Sequence, residues 1–349
     1  MVFVDKSVND FTFSNNLLVG TTKLMTNDQN ENVYGFLHLP PSDLSLLDSI
    51  NISNNLLQGS EGAGFVFPAT ECSRIGSYSY SNNTAGSCEV AFVYESAATV
   101  GSSCLAAKGA IAYASKVGLM ANLASSNLSQ VEYSQMMFAD NLRAVSLRFC
   151  HESDDNTLVF KDSFISGVSR PLCPSCYGAS KISYCQGAEA VRMLAVTANR
   201  NGDIFQTPIM SLDQVNTQQS FDAKAFLNNV RFENFFYSNS SPSQPPFCTN
   251  MAVFKRNTDG SDSTASHYLT NTTCVNCEPS AWAYFDPPSV ADRLQCGGID
   301  CTGPNNYLID DQDGKFTGRV SQILANNSVI GDHESSCQSM PAINGHWCN

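Results

Sequence analysis

The run DDQDG at positions 310 to 314 contains the acidic residues whose spacing most resembles a metal site. Carboxylates at alternate positions before a glycine are the pattern with which an EF-hand loop binds calcium. With Gly314 at loop position 6, however, position 1 falls on Ile309 and position 12 on Val320, so two ligands are missing. The spacing therefore favours a tight turn, with positive φ at Gly314, over a metal site.

Paired acids are also the groups that a polysaccharide hydrolase needs, one of them as a general acid with a raised pKa. The candidates by proximity are Asp154 with Asp155, and Asp310 with Asp313. Both pairs lie in segments that are equally typical of solvated turns. The sequence contains no nucleophile elbow, HExxH helix or phosphate loop. We therefore assign no catalytic residue and no cofactor, and we expect that the protein is not an enzyme. The alternative is a protein that binds a polysaccharide or cleaves it as a hydrolase or lyase.

Cysteine provides the second candidate chemistry, because the chain has fourteen cysteines. Zinc binding would use CPSC at 173–176 and CVNC at 274–277, but these pairs are too distant in sequence for a zinc ribbon and lack nearby histidines. An even count favours disulfides over zinc or a redox-active CxxC pair. The predicted disulfide cysteines are Cys72, Cys88, Cys104, Cys150, Cys173, Cys176, Cys185, Cys248, Cys274, Cys277, Cys296, Cys301, Cys337 and Cys348.

Composition limits the classes of partner. The net charge of −13 argues against nucleic acid and anionic membrane surfaces. No run of 18 apolar residues is present, so we expect no membrane span. The start MVFVDKSVND shows no signal peptide, whereas the cysteines indicate an oxidising compartment. We therefore expect the chain to be the mature part of a secreted or cell-surface protein.

A repeat in the sequence predicts the elements that position the candidate residues. FTFSNNLLVGT (11–21) and INISNNLLQGS (50–60) share SNNLL and a later glycine. Fainter copies occupy 78–88, 158–168 and 230–240, an alignment that matches Leu158 with Val230 and Phe160 with Phe232. Each copy has two apolar residues two positions apart, then Asn or Asp, then a second apolar stretch. The Asn or Asp positions form a predicted structural turn ladder of Asn15, Asn54, Asn82, Asp162 and Asn234.

The repeat predicts an all-β solenoid. Apolar residues two apart form a strand with one buried face, and Asn or Asp then turns the chain. Stacked strand–turn–strand units form a parallel β-helix, predicted over 1–320, with a cysteine-containing tail at 321–349. Segments such as 61–77 and 240–305 are expected to be long loops pinned by disulfides. Unrelated antiparallel hairpins with similar turns are the alternative.

Stacking also selects among six N-x-S/T sequons. The turn ladder is expected to point inward, so Asn82 should stay unmodified. Asn51 lies between two inward isoleucines and should point outward, Asn239 falls in the exposed turn column, and Asn271 is expected in a long polar loop. The predicted glycosylation sites are Asn51, Asn127, Asn239, Asn271 and Asn326.

Several motifs carry a family resemblance, among them SNNLLQGSEGAGFVFPATEC, FADNLRAVSLRF, FKDSFISGVSRPLCPSCYG and CGGIDCTGPNNYLIDDQDGKFTG. They resemble the parallel β-helix region of fibrocystin-like proteins, a family that includes relatives of cell-surface hyaluronidase. The likeness runs over most of residues 10 to 320. It implies a right-handed parallel β-helix on a secreted or ciliary cell-surface protein, with DDQDG as a turn between its strands.

The expected function is therefore a structural or adhesive role for an extracellular glycoprotein, at a cell or cilium surface. Its expected partners are covalent N-linked glycans and other copies of itself or cell-surface proteins. Because a solenoid has two open ends with unpaired backbone groups, a filament subunit is one form of this role.

Overall fold

The computed structural model shows a series of strands along the chain. The described residues are 2–4, 10–21, 33–38, 49–68, 70–72, 80–95, 104–123, 130–141, 143–149, 157–167, 189–195, 222–235, 252–256, 264–277, 279, 282–285, 307–325, 337–340 and 345–348. Within these ranges there is no α-helix, and the predicted all-β class is confirmed.

The described residues form twenty-five strands. They are β1 (Val2–Val4), β2 (Asp10–Ser14), β3 (Leu17–Thr21), β4 (Tyr34–His38), β5 (Ser49–Ser53), β6 (Leu56–Pro68), β7 (Thr70–Glu71), β8 (Asn83–Glu95), β9 (Cys104–Lys108), β10 (Ala110–Tyr113), β11 (Val117–Leu123), β12 (Gln130–Ser134), β13 (Met137–Ala139), β14 (Arg143–Phe149), β15 (Thr157–Ser166), β16 (Glu189–Ala195), β17 (Asp222–Phe235), β18 (Ala252–Arg256), β19 (Thr264–Thr270), β20 (Thr273–Cys277), β21 (Ala283–Phe285), β22 (Tyr307–Asp311), β23 (Ser321–Ala325), β24 (Cys337–Met340) and β25 (Gly345–Cys348). Twenty-three of them belong to one mixed sheet, and β2 and β5 form a separate pair.

Most pairings are parallel and fall into three rows. Row A contains the pair β2–β5 and the series β9–β12–β15–β17–β19–β22. Row B is β3–β6–β8–β10–β13–β15–β17–β20. Row C is β1–β4–β6–β8–β11–β14–β16–β18–β21. Successive repeats of the chain therefore lie side by side in parallel.

The first two copies of the repeat pair as the sequence predicts. Phe11 lies opposite Ile50 and Leu17 lies opposite Leu56. The later alignment is wrong, because Leu158 lies opposite Ala225 rather than Val230. In the same pair of strands Phe160 faces Leu227, and Phe232 faces Ile165.

The misalignment has a simple cause. Many repeats contain two turns five residues apart, such as Asn229 and Asn234, which have φ of 56° and 63°. Asn229 is the counterpart of Asp162, since Lys161 pairs with Asn228 and Ser163 with Val230. The sequence alignment matched this second turn with the first turn of the other repeats, so Asn234 was assigned to the column in which Asn229 belongs.

The expected loops at 61–77 and 240–305 also require correction. Strand β6 continues to Pro68, and β18 to β21 all lie within the second segment. The apolar run GFVFP in β6 fits a strand because Phe65 and Phe67 are both fully buried. The remaining parts of these segments lie outside the described residues, apart from Thr70–Cys72, Asn271, Thr272, Pro279 and Trp282.

An apolar core rich in aromatic side chains lies along the three rows. Phe36, Phe65 and Phe92 stand on successive row C strands, with ring centroids 6.0 and 5.3 Å apart. All three side chains are fully buried. Burial of each such side chain contributes about 1.5–3 kcal/mol to folding, so the stack stabilises the pairing of neighbouring repeats.

The strands after residue 320 run differently. Strand β23 pairs antiparallel with β22, and β25 joins β23 to β24, also antiparallel. Ile323 is fully buried, and the Trp347 ring lies 5.3 Å from that of Trp282. This segment is therefore packed onto the end of row A and onto the core.

Candidate functional site

The surface of the turns is the first candidate site, because it carries the predicted turn ladder. Asn15, Asn54, Asn82, Asp162 and Asn234 all have positive φ, between 51° and 63°. An Asn or Asp tolerates this left-handed conformation better than most residues do. The prediction that these side chains point inward is wrong, because the first four are exposed and Asn234 is half-exposed.

The inward position belongs to the residue after the first turn, which the sequence analysis missed. The Asn55 amide nitrogen Nδ2 donates to Asn83 Oδ1 at 2.9 Å and to the Phe13 carbonyl at 2.9 Å. Asn16 Nδ2 in turn donates to Asn55 Oδ1 at 3.0 Å. We call Asn16, Asn55 and Asn83 the asparagine ladder. The doubled asparagine in SNN, present in all three early copies, is the signal that could have revealed it.

In later repeats, other polar side chains occupy the same inward position. Ser163 Oγ accepts from the Met136 N–H at 3.1 Å, and Thr272 Oγ1 donates to the Leu227 carbonyl at 3.1 Å. A second inward column follows the second turn, where Asn141 Oδ1 accepts from the Ser115 N–H at 3.0 Å. Both columns satisfy backbone groups that would otherwise be buried without partners, so their chemistry is structural.

The exposed turns carry a separate chain of polar contacts. Asn229 Nδ2 donates to Asp162 Oδ1 at 2.8 Å, and Asn271 Nδ2 donates to Asn229 Oδ1 at 2.9 Å. Lys315 Nζ donates to Asn271 Oδ1 at 2.5 Å. These side chains form one continuous line along the surface, in which each amide is bonded to the next repeat.

The acidic run forms a turn, as predicted. Strand β22 ends at Asp311, the chain reverses over residues 312–320, and Gly314 has the expected positive φ of 74°. A Cβ at Gly314 would lie 2.6 Å from the backbone of Arg319 and Val320, so glycine is also required for space. Among the described residues, no group of three or more His, Cys, Asp or Glu side chains could hold a metal ion.

The carboxylates of this turn accept hydrogen bonds from the protein itself. Asp311 is buried and its Oδ2 accepts from the N–H and hydroxyl of Thr317 at 2.7 and 2.8 Å. Asp313 Oδ2 accepts from the Asn271 N–H at 2.7 Å, while Asp310 stands half-buried on β22. The predicted candidates Asp154 and Asp155 lie outside the described residues. The hydrogen bonds to Asp311 and Asp313 therefore hold the turn together and connect it to strand β19 of row A.

An aromatic pair on the outer face of row A was not singled out from the sequence. Phe226 and Tyr268 lie opposite each other on β17 and β19, with ring centroids 4.9 Å apart and an interplanar angle of 17°. Phe226 is 36% exposed, and Asp310 is the next residue in the same row, opposite Tyr268. A flat apolar surface beside a carboxylate can stack against the apolar face of a sugar ring and accept hydrogen bonds from its hydroxyls.

The cysteines divide into three groups. Disulfides join Cys72 to Cys104, Cys274 to Cys277 and Cys337 to Cys348. The remaining predicted bridge cysteines outside the described residues are Cys150, Cys173, Cys176, Cys185, Cys248, Cys296 and Cys301.

Cys88 alone forms the third group, and the disulfide predicted for it is wrong. This cysteine is buried in the second inward column, where its Sγ donates to the Gly86 carbonyl at 3.3 Å and its N–H donates to Ser115 Oγ at 3.1 Å. Burial raises the pKa of the thiol to about 11, which keeps it protonated and unreactive at neutral pH.

The sequons are placed differently from the prediction. Asn51 lies half-buried in β5, and its Oδ1 is buried with no hydrogen-bond partner among the described residues. Asn271, expected in a long polar loop, instead occupies the turn between β19 and β20 with φ of 51°. Asn127, Asn239 and Asn326 lie outside the described residues.

The two ends of the rows are unlike each other. At one end, β2 and β3 each have a single partner strand among the described residues, β5 and β6 respectively. At the other end, β22 is covered by β23 and the disulfide Cys337–Cys348 joins the strands β24 and β25. The expectation of two open ends is therefore wrong for row A, because antiparallel strands close its last member.

Comparison with known proteins gives no assignment for this arrangement. The chain matches no family model, and no curated protein is significantly similar to it. Within the described residues, no helix has the length and apolar character needed to cross a bilayer.

Proposed function

We propose that the chain is an extracellular structural or adhesive protein built on a right-handed parallel β-helix, and a relative of fibrocystin-like proteins. The observation that carries this proposal is the parallel stacking of successive repeats in three rows, with polar ladders at the turns. Coils of this kind expose long, regular faces, which suit binding to other surface molecules. The sequence resemblance supports the same class.

An extracellular setting is supported by the cysteines. Three disulfides occur among the described residues, and such bridges persist in oxidising compartments. The bridge between Cys337 and Cys348 clamps the antiparallel strands, where loss of one native disulfide typically costs about 2–5 kcal/mol. The high negative charge of −13 suits a soluble surface protein that avoids other polyanions.

A structural role rather than catalysis is supported by how the polar groups are used. The ladder amides bond between repeats, and Asp311 and Asp313 accept hydrogen bonds from Thr317 and Asn271. A hydrolase would instead present two carboxylates toward a sugar, with one held protonated by its surroundings. We do not extend the proposal to a filament, because antiparallel strands cover the last strand of row A.

Antibody labelling of intact cells of the source organism tests this proposal. We expect the surface of non-permeabilised cells to be labelled, and the extracted protein to carry disulfides. Labelling that requires permeabilisation would contradict an extracellular role. Turnover of hyaluronan, pectin or a similar polymer by the purified protein would contradict a structural one.

A second candidate function is polysaccharide binding without cleavage. It is supported by the stacked pair Phe226 and Tyr268 beside Asp310. A glycan array should then show binding that Phe226→Ser removes, while Val159→Ser in the same row has less effect. Binding that is unchanged in Phe226→Ser would remove this candidate.

A further inference from the structure

Among the described strands, none pairs with one side of the backbone of the first repeat. The Leu56 N–H donates to the Asn16 carbonyl at 2.8 Å, so it points toward the preceding repeat. Leu17 is the counterpart of Leu56 in row B, and its N–H therefore points away from β6, as does that of Val19. We call the segment Asp10–Thr21 the β2–β3 edge. Within the described residues, no strand pairs with this side of it.

The asparagine ladder stops at the same edge. Asn55 Oδ1 accepts from both the N–H and the Nδ2 of Asn16, at 3.1 and 3.0 Å. Asn83 Oδ1 accepts the equivalent pair from Asn55, at 3.3 and 2.9 Å. The Oδ1 of Asn16 has the same position in its repeat but receives no such pair among the described residues.

The second amide hydrogen of Asn16 also differs from its counterparts in the later repeats. Asn55 Nδ2 reaches the Phe13 carbonyl of the preceding repeat, and Asn83 Nδ2 reaches the Ile52 carbonyl. Asn16 Nδ2 instead donates to the carbonyl of Ser14 in its own repeat, at 3.0 Å. At this edge the ladder thus offers the Asn16 Oδ1 as an acceptor, and its second amide hydrogen could transfer from the Ser14 carbonyl to a further repeat.

The apolar core is also less covered at this edge. Phe11, Phe13 and Leu18 are half-buried. Their counterparts in the next repeat, Ile50, Ile52 and Leu57, are at most 1% exposed. Exposed edges are usually protected by lysine, proline or a bulge, whereas Asp10 is the only charged residue between positions 10 and 21, and no proline occurs there.

We propose that the β2–β3 edge binds an extended segment of a partner protein by strand addition in the parallel direction. The segment has two apolar residues two positions apart, followed by Ser-Asn-Asn and an apolar pair. Residues 11–21 have this pattern and already stack in this way on residues 50–60, which share SNNLL and the later glycine. The side of residues 11–21 that faces away from β5 and β6 therefore matches the side of residues 50–60 that already pairs with such a segment.

This partner is a single segment rather than a whole second copy. Residues 10–21 of a second copy cannot serve as this segment, because they are already paired with β5 and β6 of that copy. The last strand of row A is covered by β23, so it has no free side to offer. The proposal depends on these pairings and not on the proposed extracellular role.

The test uses a fluorescently labelled synthetic peptide with the sequence of residues 10–21, capped at both ends, and the whole purified chain. We expect saturable binding by fluorescence anisotropy. In the protein, Val19→Pro should weaken binding at least tenfold, because proline removes an N–H that faces the incoming strand. Val19→Thr changes the same exposed side chain but keeps the N–H, and it should bind as the parent does.

A second variant tests the ladder itself. Asn16→Leu should also weaken binding at least tenfold, and a peptide with leucine in place of its second asparagine should bind the parent chain equally poorly. Circular dichroism and the urea midpoint establish that each variant is folded. The proposal is overturned if the parent chain does not bind the peptide. It is also overturned if Val19→Pro binds normally, since the peptide would then replace β2 and β3 on β5 and β6.

Self-association provides the remaining outcome. Sedimentation of the parent chain should show a monomer. A dimer that disappears in Val19→Pro would mean that a second copy occupies the edge by antiparallel pairing, and the proposed partner segment would be wrong.

Discussion

Asn55 Nδ2 lies 2.9 Å from Asn83 Oδ1 and donates a buried hydrogen bond across 28 positions of sequence. The same amide also bonds the Phe13 carbonyl in the preceding repeat. One side chain therefore joins three successive repeats. Because it is buried, loss of this amide leaves several backbone and side-chain groups without partners in a medium that cannot replace them.

Replacement of Asn55 should therefore be strongly destabilising. We expect Asn55→Leu to lower the free energy of unfolding by about 2–4 kcal/mol, since the Asn16 and Asn83 amides lose their shared partner. Asn54→Gly is the matched control: this exposed neighbour has φ of 56°, which glycine adopts without strain. Urea unfolding measures both variants. Equal effects of the two substitutions would show that the ladder contributes nothing beyond the turn.

The turn at the acidic run offers a second comparison of neighbouring positions. Gly314 and Gly318 both have positive φ, but only at Gly314 would a Cβ meet backbone atoms, at 2.6 Å. Gly318→Ala should cost about 1–2 kcal/mol from its φ alone. Gly314→Ala should cost about 2–4 kcal/mol, since overpacking adds to the strain. Thermal or urea unfolding decides the order, and a larger loss at Gly318 would contradict the described turn.

The reduced state of Cys88 changes the expected thiol count. Fourteen cysteines less Cys88 leave an odd number, so bridges within one chain cannot pair all the others. After denaturation without reduction, the monomer should therefore show at least two thiols. A chain that is joined to a second chain by a disulfide should show at least one thiol. In the native protein Cys88 should not react at pH 8, because burial raises its pKa to about 11.

Mass spectrometry after alkylation checks this count. Label on Cys88 should appear only after denaturation, and Cys88→Ala should remove it. A denatured, unreduced chain without any reactive thiol would show that Cys88 is bridged, contrary to the structure.

The first two repeats could be predicted from sequence because their turn and apolar positions coincide. The all-β class and the positive φ of Gly314 followed from the same local rules. The orientation of Asn54 and Asn55 could not be derived in this way. Both are asparagines beside the same turn, and only packing against the neighbouring repeats buries the second and exposes the first.

The misaligned turn near residue 230 and the buried, unbridged Cys88 were both missed for related reasons. The second turn of each repeat is occupied by residues as different as Gly59, Ser87, Ala114 and Asp140, all with positive φ. No residue type marks that column, so a sequence alignment slips by one turn at residue 230. Cys88 follows one of these turns, and its buried position was equally hidden in the sequence.

The buried His267 predicts a loss of stability in mild acid. Its side chain is fully buried, its strand partners are Ala225 and Ile309, and its ring packs against Phe254 at 4.8 Å. Burial lowers the pKa of this histidine to about 3. In the unfolded chain the pKa is near the ordinary value of about 6.5, so below that pH only the unfolded state takes up the proton.

The contribution of His267 is therefore present above pH 6.5 and is lost as the pH falls toward 3. Between pH 7 and pH 5 this linkage should lower the free energy of unfolding by about 2 kcal/mol. Urea unfolding across this range measures the slope, and His267→Leu should reduce it, whatever the variant does to stability at pH 7. An identical slope in the variant would mean that His267 is protonated in the folded protein.

Accessibility of the sequons gives the last prediction, and it reverses the expectation from sequence. Asn82 is exposed at a turn, with its Nδ2 3.4 Å from Asn54 Oδ1. Asn51 is half-buried in β5 with its Oδ1 buried, so a sugar joined to the Nδ2 of the same amide would have little room beside the strand. When the chain is secreted from eukaryotic cells behind an added signal peptide, folded material should carry a glycan on Asn82 and none on Asn51. Thr84→Ala removes the first sequon while retaining Asn82, and it should abolish that glycan alone. Glycopeptide mapping reads both sites in one experiment, and sugar on Asn51 with Asn82 bare would contradict the described register of β5 and the turn at Asn82.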